Sequence, residues 1–226
     1  ADVVLVMAVL EHLVTPKSSI DRLVNGMKVG ARLIIEVPSL ALFDGIKGEP
    51  LGELSIEHLQ FFSLTSLTNL MVGLNLKLVG DYEVELPHAL GALFAIFECT
   101  SDAATEFQDG SSDSVIMKKY VYDSNSKLAL CFEQPIDKSI ILYGAGAHSA
   151  RLLPQLAERG IHVQAIVDSN PNYHGETLGE IKILDPMVLV DMPDTPVLIS
   201  SFRSEAAIKV FCTERFTNRL ITFYGS

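Results

Sequence analysis

Two stretches of this 226-residue chain alternate β-branched apolar runs with amphipathic segments, which confines it to an α/β architecture built on parallel strands. The first stretch opens the sequence. Ala1 to Met7 (ADVVLVM) reads as a buried parallel strand, a helix follows, and ARLIIEV is a second strand ending at Pro38. Thr15-Pro16 supplies an N-cap and a proline at the first helical position, and Ile20, Leu23, Val24 and Met27 recur at helical spacing until Gly30. The second stretch starts at Ser139 with the strand SIILYGAG. A helix carrying Leu152, Leu153 and Leu156 ends at Gly160, and the strand IHVQAIVD leads into turns as far as Gly179. Strand VLISS, a helix over 204–214 and strand RLITFY complete it.

The segment between them is more varied. Gly45, Gly48, Pro50 and Gly52 break up residues 39–62, while Leu40, Leu42 and Phe43 are too apolar for disorder, which predicts a folded loop over a site. Ser63 caps a helix with Leu67, Leu70, Met71 and Leu74. Leu76–Leu86 and Leu90–Cys99 then read as an antiparallel hairpin turning at Pro87-His88. Residues 101–114 (SDAATEFQDGSSDS) are small, polar and acidic, as a linker would be. Val115–Glu133 reads as a connecting helix weakened at Asp123-Ser124-Asn125-Ser126. The division expected is therefore 1–100, a linker and helix over 101–138, and 139–226.

Composition narrows the partners. With 17 basic against 28 acidic side chains the formal charge is −11, and no Lys/Arg cluster forms a phosphate-tracking face, so neither nucleic acid nor an anionic membrane is an expected partner. Cys99, Cys131 and Cys212 are odd in number and widely spaced, which fits reduced, buried thiols in a cytoplasmic protein. No apolar segment approaches the roughly 20 residues that span a bilayer.

Three constellations could carry chemistry. The first joins Leu10-Glu11-His12, just past the first strand, to Pro38-Ser39 at the end of the second; strand carboxyl ends line the crevice of an open parallel sheet. The second is Glu57-His58, an imidazole suited to proton transfer near neutral pH beside a carboxylate. Read from the residues alone, His58 is better explained as a half-buried packing residue ahead of a helix. The third is Gly144-Ala145-Gly146 at a strand-to-helix turn, with Asp168 ending the next strand, 22 positions after Gly146. Glycines there admit a phosphate to the helix N-terminus, and a carboxylate at that distance suits a ribose hydroxyl. The third glycine of the dinucleotide fingerprint is replaced by Ser149 or Ala150, and tight strand-helix packing would select the same glycines. His148, His162 and His174 are too scattered for a metal, and no metal site is expected.

The run VVLVMAVLEHLVTPKSSIDRLVNGMKVGARLIIEVPS, with its Leu-Glu-His turn and Lys28-Val29-Gly30, resembles the central part of class I S-adenosylmethionine-dependent methyltransferases. The segment EHLQFFS, followed by a helix and hairpin, is similar to the substrate side of the sugar C-methyltransferases, which act on nucleotide-linked keto-deoxysugars. YGAGAHSARLL with IVDSNPNYHGETLGEIKI resembles their carboxyl-terminal Rossmann-like domain, and small domains of nucleotide-sugar dehydratases and acyltransferases. The resemblance implies a partial methyltransferase sheet followed by a second Rossmann-like domain. It makes His58 the base that removes the proton next to the sugar ketone, Glu57 its partner, and Leu10, Glu11 and His12 neighbours of S-adenosylmethionine. Pro38, Ser39, Gly144, Gly146 and Asp168 would then face the nucleotide-sugar. Leu54 and Ser55 stand where the family often carries a tyrosine, a departure that points to a different substrate.

The family pattern also places a zinc module and the cofactor's glycine-rich loop before the first strand. Without them the chain alone is expected to bind S-adenosylmethionine weakly or not at all and to be inactive by itself. An apolar edge at residues 1–10 predicts a homo-oligomer. Two alternatives stand beside the methyltransferase reading: a nucleotide or nucleotide-sugar binding module, NAD included, and a non-catalytic oligomerisation scaffold.

Overall fold

The computed structural model describes residues 1–55, 57–85, 91–101 and 106–225. Two units make up the chain, Ala1–Asn125 and Ser126–Ser226, and both are α/β with parallel strand pairs.

In the first unit β1 (Val3–Met7), α1 (Pro16–Val24) and β2 (Arg32–Pro38) form the β-α-β unit read from the sequence, with β1 parallel to β2 from Val3↔Arg32 to Met7↔Glu36. Helix α2 (Leu64–Met71) leads to β3 (Leu76–Val84) and β4 (Ala92–Cys99), which pair antiparallel. The sheet order is β1-β2-β4-β3, so β4 is inserted between β2 and the outer β3. Residue chemistry explains that order. Strand β4 is apolar on both faces, with Leu93, Ala95 and Phe97 on one and Phe94 and Ile96 on the other; β3 carries Lys77, Asp81 and Glu83 and suits an edge. Residues 86–90, which include the expected Pro87-His88 turn, lie outside the described residues.

Two helix ends differ from expectation. Helix α1 stops at Val24, because Asn25-Gly26 turns the chain, and Gly30 at φ 83° serves instead to enter β2, its N–H bonded to the Cys99 carbonyl. The Thr15 hydroxyl makes no cap bond; Ser18 and Ser19 hydroxyls donate to the Thr15 carbonyl. Ser63, by contrast, forms a capping box with Ser66. Helices α1 and α2 pack Ile20, Val24, Leu67 and Met71 against Leu33, Ile35, Leu93 and Phe97, each buried side chain contributing about 1.5–3 kcal/mol. The other sheet face leaves Val3, Leu5 and Met7 exposed, with Ile34, Phe94 and Ile96 half-buried and Tyr82 stacked on Phe94 at 4.6 Å.

Helix α3 (Ser111–Cys131) is one unbroken helix and starts inside the stretch read as a linker. The Asp109 carboxylate accepts the Ser111 N–H at its start. The expected weak point holds because Lys119 pairs with Asp123 one turn away and Ser124 is fully buried. Residues 102–105 lie outside the described residues.

The second unit contains β5 (Ser139–Tyr143), α4 (Ala147–Glu158), β6 (His162–Val167), β7 (Thr177–Leu178), β8 (Ile181–Leu184), β9 (Val197–Ile199), α5 (Glu205–Arg215) and β10 (Leu220–Ile221). Their order is β10-β9-β5-β6-β8-β7, parallel except for β7. The fold is Rossmann-like, and the strand order reverses between β5 and β9. The β7–β8 hairpin falls where only turns were expected; Gly179 at φ 63° makes its two-residue turn, but two-residue β7 is too short for a strand pattern.

All three cysteines are buried and unpaired, and burial pushes the Cys212 thiol up to about 11, far from the reactive thiolate. Among the described residues no helix is long and apolar enough to cross a membrane.

Candidate functional site

The first unit gathers its chemistry beyond the carboxyl end of β1. Ala8 takes a left-handed φ of 50° and donates its N–H to the Glu36 carbonyl, so the chain leaves the sheet sharply while tied to β2. Leu10–His12 then form a short 3-10 turn. Leu10 enters the core at 0% exposure, and Glu11 is 2% exposed. Residues 57–60 cross over this turn: the N–H groups of Leu59 and Gln60 both donate to the Glu11 carbonyl, at 2.8 and 3.0 Å.

That crossing also fixes His12. Its Nδ1 lies 2.7 Å from the Glu57 carbonyl oxygen, which can only accept, so Nδ1 carries the proton. In the neutral ring the lone pair is then on Nε2, 3.7 Å from Glu11 Oε1. The His58 ring meets His12 edge to face, centroids 5.0 Å apart. One ligand-type atom from each of Glu11, His12 and His58 falls within 4.8 Å of the other two. Two cofactor-side candidates and one catalytic candidate thus converge on a single cluster. Glu57 is exposed at its side chain and takes part through its carbonyl; the carboxylate beside His58 is that of Glu11. Sequence adjacency does not show the Glu11 carboxylate near His58, because only the crossing of two distant segments brings it there.

A second carboxylate stands close by. Burial pushes the Glu36 carboxyl above its ordinary range, the negative charge of Glu11 pushes it further, and the Ala8 N–H pulls it back. Pro38 ends β2 half-buried. Ser39 is fully buried, pairs with Phe62, and donates its hydroxyl to Glu83, so its polar group is already committed within the protein. These residues do not by themselves fit S-adenosylmethionine: Leu10 is packed in the core, the Glu11 carbonyl is occupied twice over, and of the turn's three side chains only that of His12 is substantially open, at 39%.

In the second unit the Gly144-Ala145-Gly146 turn sits at the carboxyl end of β5, on the β5/β9 reversal where ligands of such sheets bind. Gly144 has φ 113°, and a Cβ there would lie 2.7 Å from the Ser200 carbonyl oxygen. Gly146, the N-cap of α4, has nothing within 4 Å of its Cβ position, which leaves open space at the helix N-terminus. Asp168 follows directly on β6, with Oδ2 accepting the Ala145 N–H at 2.7 Å and Oδ1 accepting that of Asn170 at 2.8 Å. A carboxylate has about four lone-pair positions, so both oxygens retain capacity for a further donor.

Ser149, at the position of the missing third glycine, is fully buried. Its hydroxyl donates to the Gly144 carbonyl and its oxygen lies 2.7 Å from Ser200 Oγ, tying the turn to the end of β9. Sequence reading missed Ser200, whose partner is 51 residues away. His148 is buried at the start of α4 against Tyr224, His174 reaches the Asp168 carbonyl, and His162 is exposed.

No protein-family model matches the chain, and no curated protein matches it. Among solved structures it is similar to UDP-D-quinovosamine 4-dehydrogenase from Vibrio fischeri, at 22% identity and a TM-score of 0.32, over 38% of this chain and 78% of that one.

Proposed function

We propose that the second unit binds the nucleotide part of a nucleotide-linked sugar at the β5–α4 turn. The observation that carries the reading is the open N-terminus of α4 at the sheet's reversal point, with Asp168 set beside it. Backbone N–H groups there would receive phosphate, and Asp168 would accept from ribose. Calorimetry with uridine and thymidine diphosphates, their sugar conjugates and NAD tests it. Gly146→Val places its Cβ where no other atom lies within 4 Å, at an ordinary φ of −84°, so the fold should persist while nucleotide affinity falls at least about tenfold. Unchanged affinity in that variant, or no nucleotide binding by the parent chain, would overturn the reading.

A second reading rests on the Glu11–His12–His58 cluster: proton removal from carbon next to a carbonyl, the step that methyl transfer to carbon requires. His58 is the base in this reading, with Glu11 as well as Glu57 close in space or sequence. This chain's own residues would hold S-adenosylmethionine weakly or not at all, which calorimetry with that compound reads.

Self-association through the β1 face completes the proposal, with a second copy as occupant. Val3, Leu5 and Met7 are exposed beside a strand edge that no other described strand pairs, and across the same face Arg32 pairs in register with Glu98, which pairs with Lys77. A row carrying both signs can meet its own copy, whereas the −11 charge of the whole chain would oppose random association. Light scattering at micromolar concentration should give a dimer or larger assembly that Leu5→Lys dissociates. A monodisperse monomer of the parent chain would count against it.

A further inference from the structure

The strongest unexplained feature of the first unit is a buried carboxyl oxygen without a hydrogen-bond partner among the described residues. Glu11 Oε2 is shielded from solvent and has no hydrogen-bond partner among the described residues, while Glu11 Oε1 stands 3.7 Å from the lone-pair nitrogen of His12, longer than a hydrogen bond. Leaving a carboxylate oxygen unsatisfied in the interior costs on the scale of a lost hydrogen bond or more, so an arrangement of this kind calls for a further group. His58 brings a second imidazole to the same space.

We propose that Glu11, His12 and His58 bind one divalent transition-metal ion of the zinc type, with a coordination position left open to water or a substrate oxygen. The donor set decides the class. Two imidazoles and one carboxylate suit zinc, cobalt or nickel, whereas magnesium and calcium call for oxygen shells. The spacing fits too: ligands about 2.0–2.1 Å from a tetrahedral ion lie about 3.3 Å apart, and the 3.7 Å between Glu11 and His12 needs a closure of a few tenths of an ångström. His58, inside the 4.8 Å limit of the cluster, needs a rotamer adjustment at most about an ångström larger.

The outer shell is already in place. The His12 Nδ1–H bond to the Glu57 carbonyl is the contact that orients a metal-binding histidine and fixes its tautomer, and the two N–H bonds to the Glu11 carbonyl hold the adjacent ligand. Three protein ligands leave a fourth position, and the 39% exposure of the His12 side chain places that position within reach of solvent. The inference is independent of nucleotide binding in the second unit. It bears on the proton-transfer reading directly, since a metal-bound His58 nitrogen has no lone pair to act as a base.

The test uses Zn2+ and Co2+ on the full chain. After chelator treatment, incubation with Zn2+ and desalting, elemental analysis should find one equivalent retained, and Co2+ should give the intense visible bands of a four-coordinate site. His58→Gln and Glu11→Gln, each checked for fold by circular dichroism, should weaken Zn2+ binding by about 100-fold while nucleotide binding is unchanged. Should Glu11→Gln fail to fold, His12→Gln, at a half-open position, gives the same reading. A parent chain that retains no Zn2+, or His58→Gln and His12→Gln variants that retain it undiminished, would overturn the assignment.

Discussion

Gly144→Ala should destabilise the second unit by about 3 kcal/mol. The residue holds φ 113°, a region that costs an L-residue roughly 1–2 kcal/mol, and the new Cβ would sit 2.7 Å from the Ser200 carbonyl oxygen, an overlap that adds a further 1–3 kcal/mol. The Ser200 carbonyl cannot step aside cheaply, because Ser200 N–H is bonded to the Tyr143 carbonyl and its hydroxyl to Ser149. Hydrogen exchange resolved by mass spectrometry should show β5, β6 and β9 amides losing protection by about two orders of magnitude, with β2 and β4 of the first unit unaffected. Gly146→Ala, two residues on, meets no atom within 4 Å and should change protection little. Equal effects at the two glycines would show that the turn is not held as described.

Replacing Glu205 by Ala should cost a comparable 2–4 kcal/mol. Glu205 is fully buried at the start of α5, where a negative charge suits the helix N-terminus. Its carboxylate accepts the Phe223 N–H at 2.7 Å and the Tyr224 N–H at 3.0 Å. Truncation removes charge-assisted bonds and strands two backbone donors in the interior, which is costlier than the net worth of the bonds themselves. Urea denaturation of the full chain, followed at the tyrosines, should show an earlier second-unit transition. Glu205→Gln, which keeps one acceptor oxygen, should recover part of the loss. Indifference to Glu205→Ala would mean that the chain end is not anchored through this carboxylate.

Much of the scaffold was legible in the residues. The run VVLVM is apolar on both pleat faces, which is the mark of a parallel strand, RLIIEVP keeps Leu33, Ile35 and Val37 on one face, and Ser63 marked the start of a helix. Where reading failed, a distant contact had overruled a local preference. Asp123 to Ser126 is a poor helical sequence by propensity, yet burial of Tyr120, Ser124 and Leu128 and the Lys119–Asp123 pair keep α3 whole. The β7–β8 hairpin was too short for a period-2 pattern to register.

For the sites the division is sharper. The sequence put a carboxylate and an imidazole at residues 11–12, just past a strand, and another pair at residues 57–58 ahead of a helix, and it put glycines 144 and 146 at a strand-to-helix turn with Asp168 in range. It could not pair them. That Glu11 rather than Glu57 presents its carboxylate to His58 follows from the strap of residues 57–60 bonding to the Glu11 carbonyl, a contact across 48 and 49 residues. That a side chain at Gly144 would meet the Ser200 carbonyl while Gly146 stays open follows from where the chain leaves β9, just past Ile199. Periodicity and propensity act between near neighbours and so fix the elements. Which polar groups meet, and which are left buried without partners, depends on how those elements cross, and only the tertiary structure decides that.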